Sequence, residues 1–513
     1  MKAAAARSLQ MLREVSARRS VMVAFVTIAY CLTRISGLSR ELVSEEGMFM
    51  MPGRVFFQGQ GFNVFHKPPL TSLLLGAFSF VGQDPIVGGR LVPFLIGLFI
   101  CLLPLYLTSS VAPSILVLVS PFFLAASAHM QTDPTVGLLG YGLVSAAVYL
   151  WYRSDGHDGT SYLYCGLIVL WLGKLEVAVI ASTAIVMIIV LFRPPERTRL
   201  VKAFAVASLV AILSFVFVTW LLGLTMNLGF RGSVGQVVGT VTRISGDLAV
   251  REAGGVESNI VRRLVLYRFL QAFHVEQLLG ILLLPLLATF LILRERPRDA
   301  LKLAGAMLTL GLLPVVVYFA GSYLGDGFPR YFLITFPPLL ILLGFALQLL
   351  TAGSHRAVAL LTVLGAAALM LPAAFELWKS PWNITVGRGF GGYRASAQLV
   401  GFMTRPGDLI LTSEVASYYI PNRRWLVEES FLPYPAKHAA ALRHAGEISA
   451  AIVRRLPAGP ARYQSLIGQL VLPMEKEGAR HFLYGPLEII IKCRDACAPE
   501  SRADDHPTAG GRE

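Results

Sequence analysis

Long apolar runs with very few charges recur along the chain and predict membrane-spanning helices. A helix needs about 20 predominantly apolar residues to cross the hydrocarbon core of a bilayer. Eleven such spans are predicted, of which the third and fifth are short. They lie at residues 20–38, 87–107, 112–127, 135–152, 161–173, 176–192, 204–222, 276–293, 303–320, 331–350 and 357–376. The pattern therefore predicts an α-helical polytopic membrane protein.

Two regions depart from the spanning pattern. The first outer loop, residues 39–86, contains two apolar stretches at 48–57 and 70–80 that are too short to span and predict interfacial helices. After Phe375 short apolar strands alternate with helical stretches. The strands are predicted at 409–412, 482–483 and 487–491, and the helices at 394–403 and 436–455. This predicts a membrane domain over 1–376 and a small α/β domain over 377–513, with a polar tail after about residue 499.

Composition supports the membrane class and removes one alternative. Of 513 residues, 55% are hydrophobic and 15% are charged, and the mean hydropathy is +0.62, unlike an average soluble protein. The formal charge of +14 would suit a nucleic-acid partner, but its cations lie in short loops between apolar runs. There they act as topology signals, so no nucleic-acid partner is expected.

The loop charges also predict the orientation. With the N-terminus cytoplasmic, the predicted inner loops carry most of the basic residues of the short loops. These are Arg193, Arg197, Arg199, Lys202, Arg294, Arg296, Arg298, Lys302 and Arg356. The loop at 223–275 has six arginines but is long enough to be largely exempt from the rule. The first span lacks a small-residue cleavage signal after it and reads as an uncleaved helix of an inner (plasma) membrane protein. The α/β domain would then lie outside the cytoplasm.

The five cysteines divide into two groups. Cys31, Cys101 and Cys165 fall in apolar runs and are typical of packing residues. Cys493 and Cys497 lie close together near the polar C-terminus, where a disulfide loop, two free thiols and a zinc site all stay open.

Ionisable residues at membrane edges are costly unless they are paired or functional, so each is a candidate site residue. In the eleven-span model the conspicuous ones share the outer face. They are Glu45, Glu46, Lys67, Asp133, Lys174, Glu176 and Arg330. Sugar transfer from a lipid phosphate needs a carboxylate to take the acceptor's proton, cations to hold the leaving phosphate, and an apolar groove. This face offers all three.

Each candidate also has a structural alternative. Adjacent carboxylates such as Glu45 and Glu46 point in different directions on a helix, so one is expected in the site and the other in a structural contact. Asp133 is also suited to capping a helix, and Lys174 with Glu176 to forming an ion pair or a snorkelling turn. Arg330 also fits an interfacial anchor.

The order of these motifs resembles the GT-C superfamily of glycosyltransferases over roughly residues 20–350. The motifs are a first span, an acidic pair, K-P-P-L at 67–70, R-L at 90–91, T-D-P at 132–134, G-K-x-E at 173–176 and P-R-Y at 329–331. Within the superfamily the chain looks like bacterial relatives of protein O-mannosyltransferases and the transferases that add aminoarabinose to lipid A.

The resemblance implies roles for the matching residues. Glu45, the first member of the acidic pair, would be the catalytic carboxylate, although this chain has Glu-Glu where the family usually has Asp-Glu, and Glu46 is the alternative. Asp133 would be a second acidic site residue. Lys67, Lys174 and Arg330 would contact the carrier phosphate, and His66 would line the site or pack in its loop.

The implied activity is transfer of a sugar from a polyprenyl-phosphate donor, with inversion, to a glycan, lipid or protein acceptor on the non-cytoplasmic side. No cofactor is expected, and a divalent cation stays open. The alternatives are a transporter or lipid flippase, which predicts mid-span charges and discontinuous helices, and a non-enzymatic scaffold for cell-envelope assembly.

Overall fold

A computed structural model describes most of the membrane part of the chain and the core of the C-terminal part. The described residues are 19–38, 46–62, 68–127, 129–153, 159–194, 197–235, 237–238, 298–320, 333–351, 364–365, 367–368, 371, 393–412, 414–417, 419–420, 423–428, 435–454, 461–484 and 487–492. The chain divides into two compact units, Met1–Gly389 and Phe390–Glu513. The predicted boundary at 376/377 lies outside the described residues and stays a prediction.

The first unit is helical. Its helices are α1 (Arg19–Gly37), α2 (Glu46–Val55), α3 (Leu70–Phe78), α4 (Pro85–Thr108), α5 (Ala112–Val119), α6 (Pro121–Ala126), α7 (Leu138–Arg153), α8 (Gly159–Gly173), α9 (Leu175–Leu191), α10 (Arg197–Thr225), α11 (Arg298–Ala320) and α12 (Phe336–Thr351). Five of the described helices are long and apolar enough to cross a membrane: α1, α4, α7 with its preceding turn, α10 and α11. Shorter apolar helices accompany them at Gly159–Gly173, Leu175–Leu191 and Leu333–Gln348. The prediction of a polytopic helical membrane protein is confirmed.

The predicted span at 112–127 is wrong as a single helix. Two short helices, α5 and α6, replace it, and they are separated at Ser120, whose backbone is extended. The cause is local, because the ring of Pro121 disfavours a helical conformation for the residue before it. The predicted span at 276–293 lies outside the described residues, and most of the span at 357–376 does too.

Burial distinguishes central helices from peripheral ones. In α4 and α7, 61% and 72% of the most apolar window is buried, against 22% in α1 and 28% in α10. The exposed side chains of α1 and α10 are large and apolar, including Phe25, Leu32, Leu213 and Phe217, as expected of lipid-facing positions. The loop between α1 and α4 therefore starts at the periphery and ends at the centre of the bundle.

Helices α2 and α3 are the two short helices predicted in the first outer loop, and they pack closely against each other. Their contact is made at Gly53 and Gly76. A Cβ added to Gly53 would overlap the carbonyl of Ser72, and one added to Gly76 would overlap the backbone of Gly53 and Arg54. Only glycine allows the two backbones to approach this closely, so the pair forms one rigid hairpin.

The second unit contains a five-stranded sheet. Its helices and strands are α13 (Tyr393–Met403), β1 (Leu409–Thr412), β2 (Arg424–Val427), α14 (Pro435–Arg443), β3 (Ile448–Arg454), α15 (Ala461–Lys476), β4 (Arg480–Tyr484) and β5 (Leu487–Ile491). The strand order is β2-β1-β3-β5-β4. Strand β1 pairs in parallel with β2 and β3, and β5 pairs antiparallel with β3 and β4.

The helix predicted over 436–455 is wrong in its second half. Residues 435–443 are helical, but residues 448–454 form β3, the middle strand. The alanine-rich sequence favours helix locally. Strand β3 pairs with β1 on one side and with β5 on the other. Its residues Ile448, Ala451 and Val453 are buried in the core, and this tertiary burial outweighs the local helix preference.

Candidate active site

The carboxylate of Glu46 is fully buried at the start of α2 and forms an ion pair with Arg90 of α4. Arg90 Nη2 lies 2.8 Å from Glu46 Oε2, and both side chains have zero exposure. The backbone N–H of Met130 donates to Glu46 Oε1 over 3.0 Å, and His129 Nδ1 lies 3.6 Å from the same oxygen. Charged partners and hydrogen bonds of this kind are what a buried carboxylate requires.

These partners keep Glu46 ionised. Burial alone would raise the pKa of the Glu46 carboxyl. The charge of Arg90 and the neighbouring His129, together with the hydrogen bonds from Arg90 and Met130, outweigh that effect and hold the pKa of Glu46 below the usual glutamate range. Glu46 is therefore a buried anion that joins α2, α4 and the chain that follows α6.

Arg90 also holds the end of the first span. Its Nη1 donates to the carbonyls of Gly37 and Leu38, each over 3.4 Å, where the end of a helix leaves carbonyls without intrahelical donors. Gly37 and Leu38 immediately precede residues 39–45, and Glu46 immediately follows them. One guanidinium thus fixes both ends of the seven-residue segment that ends in Glu45.

The chain at residues 129–137, which we call the 129–137 segment, continues from this ion pair towards Lys174. It contains the backbone of Asp133, at the start of a π-helical turn that spans Asp133–Gly137. The turn is held by a hydrogen bond from Gly137 N–H to the Thr132 carbonyl of 2.9 Å. Because Met130 and Asp133 are three residues apart, their Cα atoms are at most about 11 Å apart. The backbone of Asp133 therefore lies within about 11 Å of the residue whose N–H binds Glu46.

Lys174 lies at the other end of this segment. A Cβ on Gly137 would be 3.6 Å from Lys174 Cδ, and one on Gly173 would overlap the side chain of Val136. Lys174 lies between α8 and α9, and its side chain is buried while its backbone is extended. Its Nζ lies 3.8 Å from Glu176 Oε1, and Glu176 is 22% exposed. An acidic residue in the first turn of α9 is also favoured by the helix dipole.

Two further elements, each close in the chain to predicted residues, reach the 129–137 segment. A Cβ on Gly137 would be 3.8 Å from Ile334 Cγ2, and Ile334 follows Arg330 by four residues. Helix α3, which begins directly after the K-P-P motif, packs against the Asp133–Gly137 turn and against α8. Described residues close in the chain to Glu45, Lys67 and Arg330 therefore contact this segment.

Half of the predicted site residues lie outside the described residues: Glu45, His66, Lys67 and Arg330. For Asp133 the backbone alone is described, and its role stays a prediction. Glu46, Lys174 and Glu176 are placed as stated above. Within the described residues, no group of three or more His, Cys, Asp and Glu side chains is arranged to hold a metal ion.

Sequence reasoning did not assign His129 and used Arg90 only as part of a motif. The signal for Arg90 was present, because a single arginine in an otherwise apolar 24-residue helix requires a partner or a function. The position of His129 gave no comparable signal. Its partner Glu46 is more than 80 residues away along the chain, and only the tertiary structure brings the two together.

The first span, the α2–α3 hairpin, the central helices and the small C-terminal sheet together define a GT-C-like membrane fold. Two solved structures of ArnT from Cupriavidus metallidurans share this fold. The structure with bound undecaprenyl phosphate matches with a TM-score of 0.59 and 14% identity, covering 94% of this chain and 99% of that chain. The apo structure matches with a TM-score of 0.58 and 13% identity over the same shares.

The resemblance inferred from the sequence motifs is thus confirmed at the level of the fold. No protein-family model matches the chain, and no curated protein matches its sequence.

Proposed function

We propose that this protein is a membrane glycosyltransferase that transfers a sugar from a polyprenyl-phosphate donor to an acceptor on the non-cytoplasmic side of the membrane. The observation that carries the proposal is the ArnT-like fold over 94% of the chain, combined with the Arg90 anchor of the acidic loop. The neighbouring ArnT structure holds undecaprenyl phosphate, which is the carrier part of such a donor.

Glu45 is the catalytic base in this proposal, and Glu46 is a positioning residue. Consecutive Cα atoms are about 3.8 Å apart, so Glu45 adjoins a residue whose carboxylate is bound to the 129–137 segment through Met130. Glu46 itself is fully buried and engaged by Arg90, which suits a structural carboxylate. The expected division of roles within the acidic pair therefore favours Glu45 for chemistry.

The reaction is a single displacement at the anomeric carbon. A hydroxyl or amine of the acceptor forms a bond to that carbon and loses its proton to the Glu45 carboxylate. The bond between the carbon and the phosphate oxygen breaks, and the electron pair leaves with the phosphate, giving inversion. Lys67, Lys174 and Arg330 stabilise the departing phosphate, which is where negative charge develops. Asp133 binds the acceptor or the sugar beside Glu45.

A transfer assay tests the proposal. Membranes containing the protein are supplied with a radiolabelled polyprenyl-phosphate sugar and a cell-envelope extract as acceptor, and label outside the carrier is measured. Glu45→Gln is expected to lower transfer by at least about 100-fold, because a general base contributes about 10²–10⁴-fold. Glu45→Asp, which restores the family's Asp-Glu pair, is expected to retain activity. The matched control is Glu475→Gln, at an exposed position of the second unit.

Equal transfer by wild type and Glu45→Gln would refute the assignment of the base. If no variant or wild-type protein forms labelled product while the labelled lipid crosses the bilayer, the protein is a lipid transporter and the proposed activity is wrong.

A further inference from the structure

The sheet of the second unit contains a topological switch point beside β1. Strand β1 has β2 on one side and β3 on the other, and all three are parallel. Leu409 and Leu411 of β1 pack in one core with residues of α14 and α15. Because α15 is the helix that follows β3, the chain leaves β3 on that face of the sheet. From β1 the chain leaves through the turn at Glu414–Ser417, which packs against α13. In open α/β sheets, ligands bind at the carboxyl ends of the strands at such a point.

Helix α13 covers the opposite face of the sheet. Side chains alternate along a strand, so Ile410 and Thr412 point away from the core that contains Leu409 and Leu411. Helix α13 packs against β3, β5 and the Glu414–Ser417 turn, and its buried residues do not belong to that core. Because α13 leads through a short connection into the start of β1, its N-terminus lies at the level of Thr412.

Two buried hydroxyls in this layer have no hydrogen-bond partner. Thr412 has zero exposure and Ser396 of α13 is 1% exposed, and neither Thr412 Oγ1 nor Ser396 Oγ makes a hydrogen bond. Leaving a buried polar group unsatisfied costs about 1–3 kcal/mol. Two such groups in the layer on this side of the sheet, at the edge where ligands bind in this topology, indicate a candidate site.

The surrounding groups favour an anion. The first N–H groups of the 11-residue α13 have no acceptor within the helix, and its dipole attracts negative charge. Arg394 is exposed in the first turn of this helix, and β3 ends in Arg454 at the same edge of the sheet. Among the described residues, Glu414 starts the turn and Glu428 follows β2 on the far side of β1 from β3.

We propose that the second unit binds a phosphate group between the N-terminus of α13 and the carboxyl ends of β1 and β3, with Ser396 and Thr412 as hydroxyl donors. This site is separate from the proposed transfer chemistry and would exist even if the protein had no transferase activity. The phosphate group belongs either to a soluble phosphate ester or to a membrane lipid, and the experiment below separates these sources.

Hydrogen exchange on the full-length protein in detergent tests the site, with inorganic phosphate as the probe and sodium chloride at matched ionic strength as the reference. Phosphate is expected to slow exchange in peptides covering 393–403 and 409–417. Reading these peptides separately distinguishes the site from phosphate bound in the membrane unit. The double variant Ser396→Ala/Thr412→Val is expected to weaken the apparent phosphate affinity at these peptides by about tenfold or more, since it removes two donors to a charged ligand.

Thr412→Ser keeps the hydroxyl and is expected to retain the phosphate effect. Arg443→Gln, at an exposed position in α14, is the control for loss of one positive charge and is expected to behave as wild type. The double variant should also be more heat-stable than wild type without phosphate, because it removes two unsatisfied groups; this result shows that it folds. No phosphate effect at these peptides in wild type, or an equal effect in the double variant, would overturn the proposal.

The source is identified by repeating the exchange in nanodiscs of phosphatidylcholine with and without phosphatidic acid. Protection that requires phosphatidic acid assigns the site to a membrane lipid. Protection by inorganic phosphate in both kinds of nanodisc assigns it to a soluble phosphate ester.

Discussion

Glu46 and Arg90 form an ion pair of 2.8 Å with no solvent exposure on either side chain, and they join the start of the first outer hairpin to the central helix α4. The two residues are 44 positions apart in the chain, so the pair holds the start of α2 against α4 across most of the first outer loop. Glu46 also contacts His129 and Met130, which connects the ion pair to the segment that contains Asp133.

Removing one member of this pair should destabilise the protein more than removing both. Glu46→Gln leaves the buried guanidinium of Arg90 without its counter-charge, and breaking a buried pair in this way costs about 3–5 kcal/mol. The double variant Glu46→Gln/Arg90→Met removes both charges and should recover part of that loss. Apparent melting temperatures in detergent of the wild type, both single variants and the double variant complete a double-mutant cycle. Additive effects would show that the two residues do not interact.

Arg90→Lys should reduce transfer activity while the protein stays folded. Lysine keeps the charge near Glu46, but a single ammonium cannot reproduce the guanidinium's contacts with two carbonyls and a carboxylate. The expected result is a kcat lowered by about tenfold or more with little change in KM for the donor, because a displaced base affects the chemical step. A rise in KM alone would instead assign Arg90 to donor binding.

Stability should fall at acid pH in a way that depends on Glu46. Its folded-state pKa is depressed, so its contribution is fully present above the unfolded glutamate pKa of about 4.3 and is lost as the pH falls through the lower folded value. The melting temperature of wild type should thus drop below about pH 4.3 by more than that of Glu46→Gln. Parallel pH profiles for the two proteins would contradict the ionised state of Glu46.

Lys174→Met should weaken donor binding. The lysine is buried beside the Asp133–Gly137 turn and is proposed to contact the carrier phosphate, so its removal should raise the KM for the polyprenyl-phosphate sugar by about tenfold or more, as expected for a hydrogen bond to a charged group. Glu176→Gln removes its ion-pair partner and is the matched control. If Glu176→Gln has the same effect as Lys174→Met, the ion pair has a structural role alone.

The α2–α3 contact should not tolerate a methyl group. Gly53→Ala and Gly76→Ala each introduce a Cβ that overlaps backbone atoms of the other helix, and overpacking of this kind costs about 1–3 kcal/mol. Gly401→Ala, at a helical glycine with no atom within 4 Å of an added Cβ, should be neutral or stabilising. Melting temperatures distinguish the two classes. Equal stability of all three variants would mean that the helices can separate without cost.

The sequence predicted the membrane helices well because each span is a local property. A run such as 87–107 requires burial in lipid or protein whatever lies elsewhere in the chain, and α4 covers it. Local chemistry also explains the break at Ser120, through the following proline. Sequence reasoning failed where distant partners decide, as in β3, whose strand conformation depends on pairing with β1 and β5.

The candidate site follows the same rule. The residue types at Glu46, Lys174 and Glu176 pointed to paired charges. Lys174 and Glu176 are two positions apart, so their ion pair can be predicted from the local sequence. The pairing of Glu46 with Arg90 and His129 depends on tertiary contacts between three segments that are distant in the chain. Hydropathy and motif spacing carry no information about such contacts.

Arg90 contacts Gly37 and Leu38 before residues 39–45 and Glu46 after them, so one side chain holds both flanks of this seven-residue segment. Between two held flanks, the number of residues limits how far each side chain can reach, independently of which residues they are. Under the proposed function, inserting or deleting one residue here should therefore lower transfer even with every proposed catalytic side chain retained. The length of this short connection would then matter to the reaction in its own right.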